Sequence, residues 1–376
     1  MIRLNILTLT NEFEEECFGG AGTAATGMLY MLDRLGVQQT VIVPRSDWNV
    51  AGWVVRGQQI RVLRLPRNTH YFGNLGMIKA DVVRQEFPEL SQAWDLIHIH
   101  AINFTSLAYT ISGGVIPIFY SIYSFLRKEL GDRPEPELQA QFKIQEDLLM
   151  RCQRIQLISQ SERSYLVGRF PQYLSKTEVL PIGITIPAER WQPENANEFL
   201  YVGRLLPYKG IEDLIQAMFL IRQSGRQIHI NIVGKGADHY EAHLRQLVQS
   251  KRVGNWIKFL GWIPSSEVRQ SMARASCIVV PSQREAYGLV ALEGMTIATP
   301  LISSRAGGLS ELVSNSWALT YEAGNVKELS KALITAYNNP SLLRSLAARG
   351  REQALTLEWG QLAPRYLAIL EQMRLQ

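Results

Sequence analysis

Residues 277–304 read CIVVPSQREAYGLVALEGMTIATPLISS. An apolar run from Cys277 to Ser282 is followed by a polar turn that reaches Gly288. A helix-length apolar segment comes next, and a second strand-like run, TPLISS, closes the stretch. Strand, loop, helix and strand in succession form the repeating unit of a parallel sheet with crossover helices. Working outward, the same alternation fills the chain. The first half supplies LNILTLT, QTVIVP, IRVLRL, DLIHIH, PIFYSIY and RIQLIS as strands; the second supplies NEFLYVGRL, QIHINIVG, WIKFLGW, SCIVVPS, TPLISS and WALTY. A proline-rich stretch around 176–195, KTEVLPIGITIPAERWQP, has no helical period and reads as the connection between two such sets. The expectation is therefore an α/β protein of two Rossmann-like domains facing a central cleft. Residues 1–185 form the first and 186–358 the second, and a last helix, about 359–376, packs back on the first. Sheets of this kind bind ligands beyond the carboxyl ends of their strands.

Composition narrows the function classes. The 376 residues are 46% apolar and 19% charged, as in a globular protein. Cys17, Cys152 and Cys277 are far apart and show no metal-ligand spacing, which points to a reducing, cytoplasmic setting. The N-terminus turns acidic where a signal peptide needs a cleavage site. Residues 101–126 carry no Asp, Glu, Lys or Arg, but Gly113, Gly114 and Pro117 interrupt them. A helix to about Ser112, a turn and a buried strand fit better than a transmembrane helix. The net charge is +5, and all of the excess lies in residues 181–376, with 21 Lys and Arg against 16 Asp and Glu. A pocket for a small phosphorylated ligand accounts for that placement. No basic run interleaved with aromatics is present, which argues against nucleic acid.

Several segments carry chemistry. Gly20-x-Gly22-x-x-Ala25 superficially resembles a dinucleotide fingerprint. However, NEFEEECF separates it from the strand, and the second strand ends in Pro44-Arg45 rather than an acid. What remains is a glycine turn opening a helix, able to approach an anion or a sugar, or needed only for tight packing. In YVGRLLPYKG, a strand end places Arg204 and Lys209 beside a helix N-terminus carrying Glu212 and Asp213, a phosphate site in outline. Gly234, in IVGKG, would let a flat base lie close to the backbone.

Glu285 and Glu293 bracket the turn at Gly288. On one continuous helix, eight residues would separate their backbones by about 12 Å. From a loop, both approach from one side, which is poor geometry for an acid and base across a glycosidic bond. Two carboxylates on one side suit the clamping of an extended ligand, with the amides of Leu289 and Val290 free for phosphate. The segment supplies no further ligands for a metal. Glu311, in SRAGGLSE, heads another helix and can serve merely the helix dipole.

Together these segments resemble the retaining glycosyltransferases of family 4, with the GT-B fold. VGRLLPYKG is similar to that family's GRL-x-x-x-KG element. FLGWIPSSEVRQSMARASCIVVPSQREAYGLVALEGMTIATPLISSRAGGLSELV is similar to its long signature, with Glu285 and Glu293 at the two glutamates. The resemblance covers nearly the whole chain. It implies that Arg204 and Lys209 bind the diphosphate of a nucleotide-sugar donor, Glu285 the donor sugar's hydroxyls and Glu293 the ribose. It also implies that the Gly19–Gly22 turn, with Gly20 and Gly22, closes over the donor. No metal or other cofactor is implied. Attack comes from the front face, and the leaving phosphate helps to deprotonate the acceptor.

One departure concerns a Thr-x-His usual at the end of an N-terminal-domain strand, where this chain has Ser121 and Tyr123. Tyr cannot carry the imidazole charge. DLIHIH supplies His98 and His100, two apart and so on one face, with His100 nearer the ligand-binding end. A hydrogen-bonded core histidine is the plain alternative. His100, Tyr123 and Glu285 are the expected groups at the reacting sugar. A second departure, Ile182-Gly183 for Asn-Gly, carries little.

UDP-sugars are expected ahead of GDP-sugars. The acceptor (a sugar, a lipid-linked sugar or a small molecule) is not legible, and EFEEE, Glu12 to Glu16, should lie near it. The location expected is cytoplasmic, with weak peripheral contact at the inner face of a membrane left open. A nucleotide-sugar-binding protein without catalysis and a GT-B sugar-nucleotide epimerase are the alternatives.

Overall fold

A computed structural model describes residues 4–14, 19–131, 133–195, 197–223 and 225–375. Glu15, Glu16 and Cys17, named above, lie outside them. The chain divides into two compact units. The first comprises residues 1–183 and 359–376, the second residues 184–358.

In the first unit the described strands are β1 (Asn5–Leu9), β2 (Gln38–Arg45), β3 (Gly52–Arg56), β4 (Ile60–Pro66), β5 (Leu96–Ile99), β6 (Ile118–Ile122), β7 (Arg154–Leu157) and β8 (Thr177–Val179). They form one sheet in the order β3-β4-β2-β1-β5-β6-β7-β8. Every pairing is parallel except β3 with β4. The inner strands are buried along almost their whole length, which is why they read as largely hydrophobic runs.

Two strands escaped the sequence reading. GWVVR forms the antiparallel edge strand β3, joined to β4 through Gly57 at φ 52°. The Asp33 carboxylate accepts the Gln58 and Gln59 N–H groups at 2.8 and 2.6 Å and fixes that turn. The stretch expected to be linker from 176 begins instead with β8, which extends the sheet.

The charge-free segment 101–126 contains a helix at Thr105–Ser112, left-handed Gly113 and Gly114, and then β6. No described helix is long and apolar enough to cross a membrane. The helix Trp359–Arg374 returns to this unit: Arg365 donates to the Val179 carbonyl, and Arg374 pairs with Asp95.

The second unit holds β9 (Glu198–Val202), β10 (His229–Val233), β11 (Ile257–Gly261), β12 (Cys277–Val280), β13 (Leu301–Ser304) and β14 (Leu319–Tyr321). All pairings are parallel, in the order β11-β10-β9-β12-β13-β14. The sheet grows outward from β9 one way and from β12 the other, so the strand order reverses between them. In the first sheet the reversal falls between β1 and β5. At such a switch point neighbouring loops part and leave a crevice at the carboxyl ends of the strands.

Candidate active site

In the second unit, the loops after β9 and β12 flank the switch point and carry the expected charged residues. After β9 the chain turns at Gly203, exposes Arg204 and makes a short turn of helix, Pro207–Lys209. Gly210, at φ 71°, then starts the helix Ile211–Arg222. A Cβ on Gly210 would lie 1.9 Å from the Pro281 carbonyl oxygen, so only glycine lets the two loops touch. Backbone bonds bind them further: the Gln283 N–H donates to the Tyr208 carbonyl at 2.8 Å. The Gln283 amide also donates to Asp213 at 2.7 Å.

This contact brings Lys209 Nζ to 2.7 Å from Glu285 Oε2, with side-chain exposures of 18% and 17%. The Ser282 hydroxyl donates to the same oxygen at 3.1 Å. Ser282 was not among the expected residues. A hydroxyl two residues after a buried strand and three residues before a carboxylate was the available signal.

The helix Leu289–Ile297 starts at Gly288, φ 107°, with no side-chain cap, so its first amides point into the loop region. A Cβ on Gly288 would sit 2.3 Å from Leu309 Cδ2. Glu285 thus lies on the loop and Glu293 inside the helix. Burial pushes the Glu293 carboxyl up to about 7, against the pull of Arg269. From below, the Gly308 N–H donates to the Glu285 carbonyl at 2.9 Å, and a Cβ on Gly308 would meet the Ala286 oxygen at 2.0 Å. Gly234, φ 141°, has a structural demand of its own: a Cβ there would lie 1.8 Å from the Gly203 oxygen.

In the first unit, the cluster lies at the carboxyl ends of β5 and β6. His98 and His100 share a face, with ring centroids 4.1 Å apart. His100 Nδ1 is 2.8 Å from the Tyr123 hydroxyl. His98 Nε2 is 2.7 Å from the Ser121 hydroxyl. His98 is fully buried, His100 half-buried, and burial lowers both imidazoles, that of His100 to about 3. Both rings are therefore neutral at physiological pH. Burial likewise raises the Tyr123 phenol well above its ordinary range. Among the described residues, His100 Nε2 and His98 Nδ1 are buried without a hydrogen-bond partner.

Beyond Ser121 lies Gln156, in mid-strand β7, and beyond that Tyr366. Neither was expected. A lone polar residue inside RIQLIS was a signal, because a buried amide must find partners.

At the remaining glycine site, the helix Gly20–Arg34 begins at Gly20, with Gly22 buried. The Glu12 carboxylate accepts the Gly19 N–H at 3.3 Å, so the chain's own acid already meets that helix start. No three His, Cys, Asp or Glu side chains gather as a metal site among the described residues.

Two mainly parallel, doubly wound sheets with these loops define a GT-B glycosyltransferase fold. Residues 18–186 match the family described as Glycosyltransferase Family 4, and residues 185–353 the one described as Glycosyl transferases group 1. The chain belongs to this glycosyltransferase family. A D-inositol 3-phosphate glycosyltransferase of Kineococcus radiotolerans is 23% identical over 93% of this chain and 90% of its own. A glycogen synthase of Mycobacterium tuberculosis is 32% identical over 48% of this chain and 45% of its own. Among solved structures, sucrose-phosphate synthase from Thermosynechococcus elongatus has a TM-score of 0.79 at 22% identity, covering 99% of both chains. Anabaena HepE in complex with UDP and glucose has a TM-score of 0.75 at 19% identity, covering 98% of this chain and 100% of its own.

Proposed function

We propose that this glycosyltransferase moves a hexosyl group from a nucleoside-diphosphate sugar, UDP-linked ahead of GDP-linked, to an acceptor hydroxyl. The transfer retains configuration and needs no metal ion. The observation that carries this reading is the Lys209–Glu285 pair at 2.7 Å beside an uncapped helix start at the second sheet's switch point. When the donor arrives, Lys209 turns to its diphosphate, Arg204 adds a second cation, and the amides at Gly288, Leu289 and Val290 meet the phosphate oxygens. Each charge-assisted bond contributes roughly 1.5–3 kcal/mol. Glu285, released from Lys209, accepts from the sugar hydroxyls, and Glu293 accepts from the ribose. The backbone near Gly234 lies against the base, and the Gly20–Gly22 turn against the donor. Cations and helix amides, fixed before reaction, neutralise the leaving charge that a metal would otherwise meet.

The bond from the anomeric carbon to the diphosphate breaks while the bond to the acceptor oxygen forms on the same face. The acceptor proton passes to the departing phosphate oxygen. His100 and Tyr123 take part as neutral hydrogen-bonding groups toward a substrate hydroxyl, a role their burial favours over charge. UDP preference is supported by the UDP complex of HepE. The acceptor class stays broad because the relatives named above differ in theirs. Nucleotide-sugar use fits a cytoplasmic enzyme, with peripheral membrane contact if the acceptor is lipid-linked.

The test is to incubate UDP- and GDP-sugars with sugar, lipid-linked and small-molecule acceptors, with and without EDTA. Nucleotide release and product anomeric configuration are followed by NMR. Acceptor-dependent UDP release with retention, insensitive to EDTA, is expected. Binding without turnover would favour the non-catalytic alternative, and donor isomerisation without acceptor the epimerase.

A further inference from the structure

Four side chains of the first unit form a chain of hydrogen bonds whose direction can be deduced. The Tyr366 hydroxyl donates to the Pro181 carbonyl at 3.0 Å, and a carbonyl can only accept. Gln156 Nε2 donates to Tyr366 at 2.7 Å and to the Leu180 carbonyl at 3.2 Å, which uses both amide hydrogens and fixes which end is nitrogen. Gln156 Oε1 therefore faces Ser121, whose only proton goes to it at 2.5 Å. Ser121 must then accept from His98 Nε2, 2.7 Å away. His98 is fully buried and neutral, so its proton sits on Nε2 and Nδ1 is bare. The backbone carbonyls of Leu180 and Pro181 thus orient the Gln156 amide, directly and through Tyr366, and with it the tautomer of His98. On this fixed ring lies His100, and Phe119 packs against its other neighbourhood at 4.6 Å between centroids.

We propose that Gln156 is a positioning residue for the transfer reaction, and that Tyr366 supports it. Together with Ser121 they lock His98 as the Nε2–H tautomer and so hold the His100 ring, with its unpartnered Nε2, in the orientation that meets a substrate hydroxyl. This rests on the reading of His100 as a substrate-facing group. None of the three positioning side chains touches substrate. Their effect is on orientation, where displacements of about 1 Å can cost on the order of 100-fold in rate.

The test uses the full-length protein labelled with 15N at its six histidines. Long-range 1H–15N spectra report tautomers directly, and steady-state kinetics run beside them. In the unaltered protein, His98 should show the Nε2–H pattern. Gln156→Leu frees the Ser121 proton to turn toward His98, which should shift to Nδ1–H, with kcat down about 10-fold or more and donor KM within about twofold. Gln156→Glu, held neutral by burial, still accepts from Ser121 and should restore both the tautomer and most of kcat. Tyr366→Phe leaves Gln156 held by the Leu180 carbonyl and should keep the tautomer with only a small loss of kcat.

An unchanged tautomer in Gln156→Leu overturns the proposal. So does a changed tautomer with unchanged kcat. Should Gln156→Leu not fold, Gln156→Glu and Tyr366→Phe decide: a kcat loss of about 10-fold or more in both without any tautomer change overturns it. His100→Ala separates the underlying reading. If its kcat is unaltered, the substrate-facing role of His100 fails, and the proposal fails with it. If kcat collapses there but holds in Gln156→Leu, only the positioning role fails.

Discussion

The cluster after β9 and β12 lies at the second sheet's switch point, the cluster at the carboxyl ends of β5 and β6 lies one strand pair beyond the first sheet's, and the two are built from opposite material. The second-unit cluster is charged and part-exposed, and glycines hold its loops together: Lys209 and Glu285 stand on turns that Gly210 and Gly308 allow to touch, and Glu293 on the helix that starts at Gly288. The first-unit cluster is neutral and largely buried, and side-chain hydrogen bonds running from Pro181 to His98 hold it. Charged groups near solvent can change partners when a ligand arrives. Neutral groups in a closed network keep their places. One cluster is suited to catching a charged donor and the other to presenting a fixed hydrogen bond.

The strongest attempt to break this comparison is Gly234→Ala. It sets a methyl group against the Gly203 oxygen at a φ of 141° and should cost about 3 kcal/mol or more. Hydrogen exchange should rise throughout residues 184–358 while the first unit stays protected. Equal loosening of both units would mean that the two clusters are not held independently.

Lys209→Ala comes next. It removes the cation from Glu285 and from the proposed diphosphate, and kcat/KM for the nucleotide-sugar should fall roughly 10- to 100-fold. Unaltered turnover would remove Lys209 from the phosphate site.

Tyr123→Phe, in the neutral cluster, deletes one hydrogen bond to His100 and should lower kcat about 3- to 10-fold with donor KM nearly constant. A larger rise in KM than fall in kcat would move Tyr123 into donor binding.

The gentlest probe is pH, and it separates the clusters by sign. Glu293 is raised from 4.5 to about 7, so the fold favours its protonated form. That contribution is complete below 4.5 and lost as pH rises through 7. His100 is lowered from 6.5 to about 3, so its contribution is present above 6.5 and lost as pH falls toward 3. Between pH 7 and 5 the second cluster should gain on the order of 1 kcal/mol and the first lose a similar amount. Melting curves of Glu293→Gln and His100→Asn against the unaltered protein should diverge from it in opposite directions over this range. Parallel curves would contradict the assignment.

The legible part of the molecule follows from the same contrast. Parallel strands buried on both faces are written as apolar runs, so twelve of the described strands could be read from the chain. GWVVR and TEV were missed: each is short, at a sheet edge, and backed by less apolar sequence. Lys209, Glu285 and the helix start at Gly288 lie in short segments whose residue spacing is itself the geometry, so their proximity could be foreseen. Gln156 and Tyr366 are separated by 210 residues along the chain. No local pattern links them, and only the burial of a polar side chain in an apolar strand hints that a partner exists.

That separation has a consequence during synthesis. At roughly 5–20 residues per second, a ribosome takes about 10–40 s to advance from Gln156 to Tyr366. In that interval the entire second unit is made and β7 is already complete, yet the amide at its centre lacks one of its two acceptors, the Tyr366 hydroxyl. The first domain to leave the ribosome is thus the last to be finished, and its hydrogen-bond network closes at Tyr366 only after the helix at 359–374 has emerged.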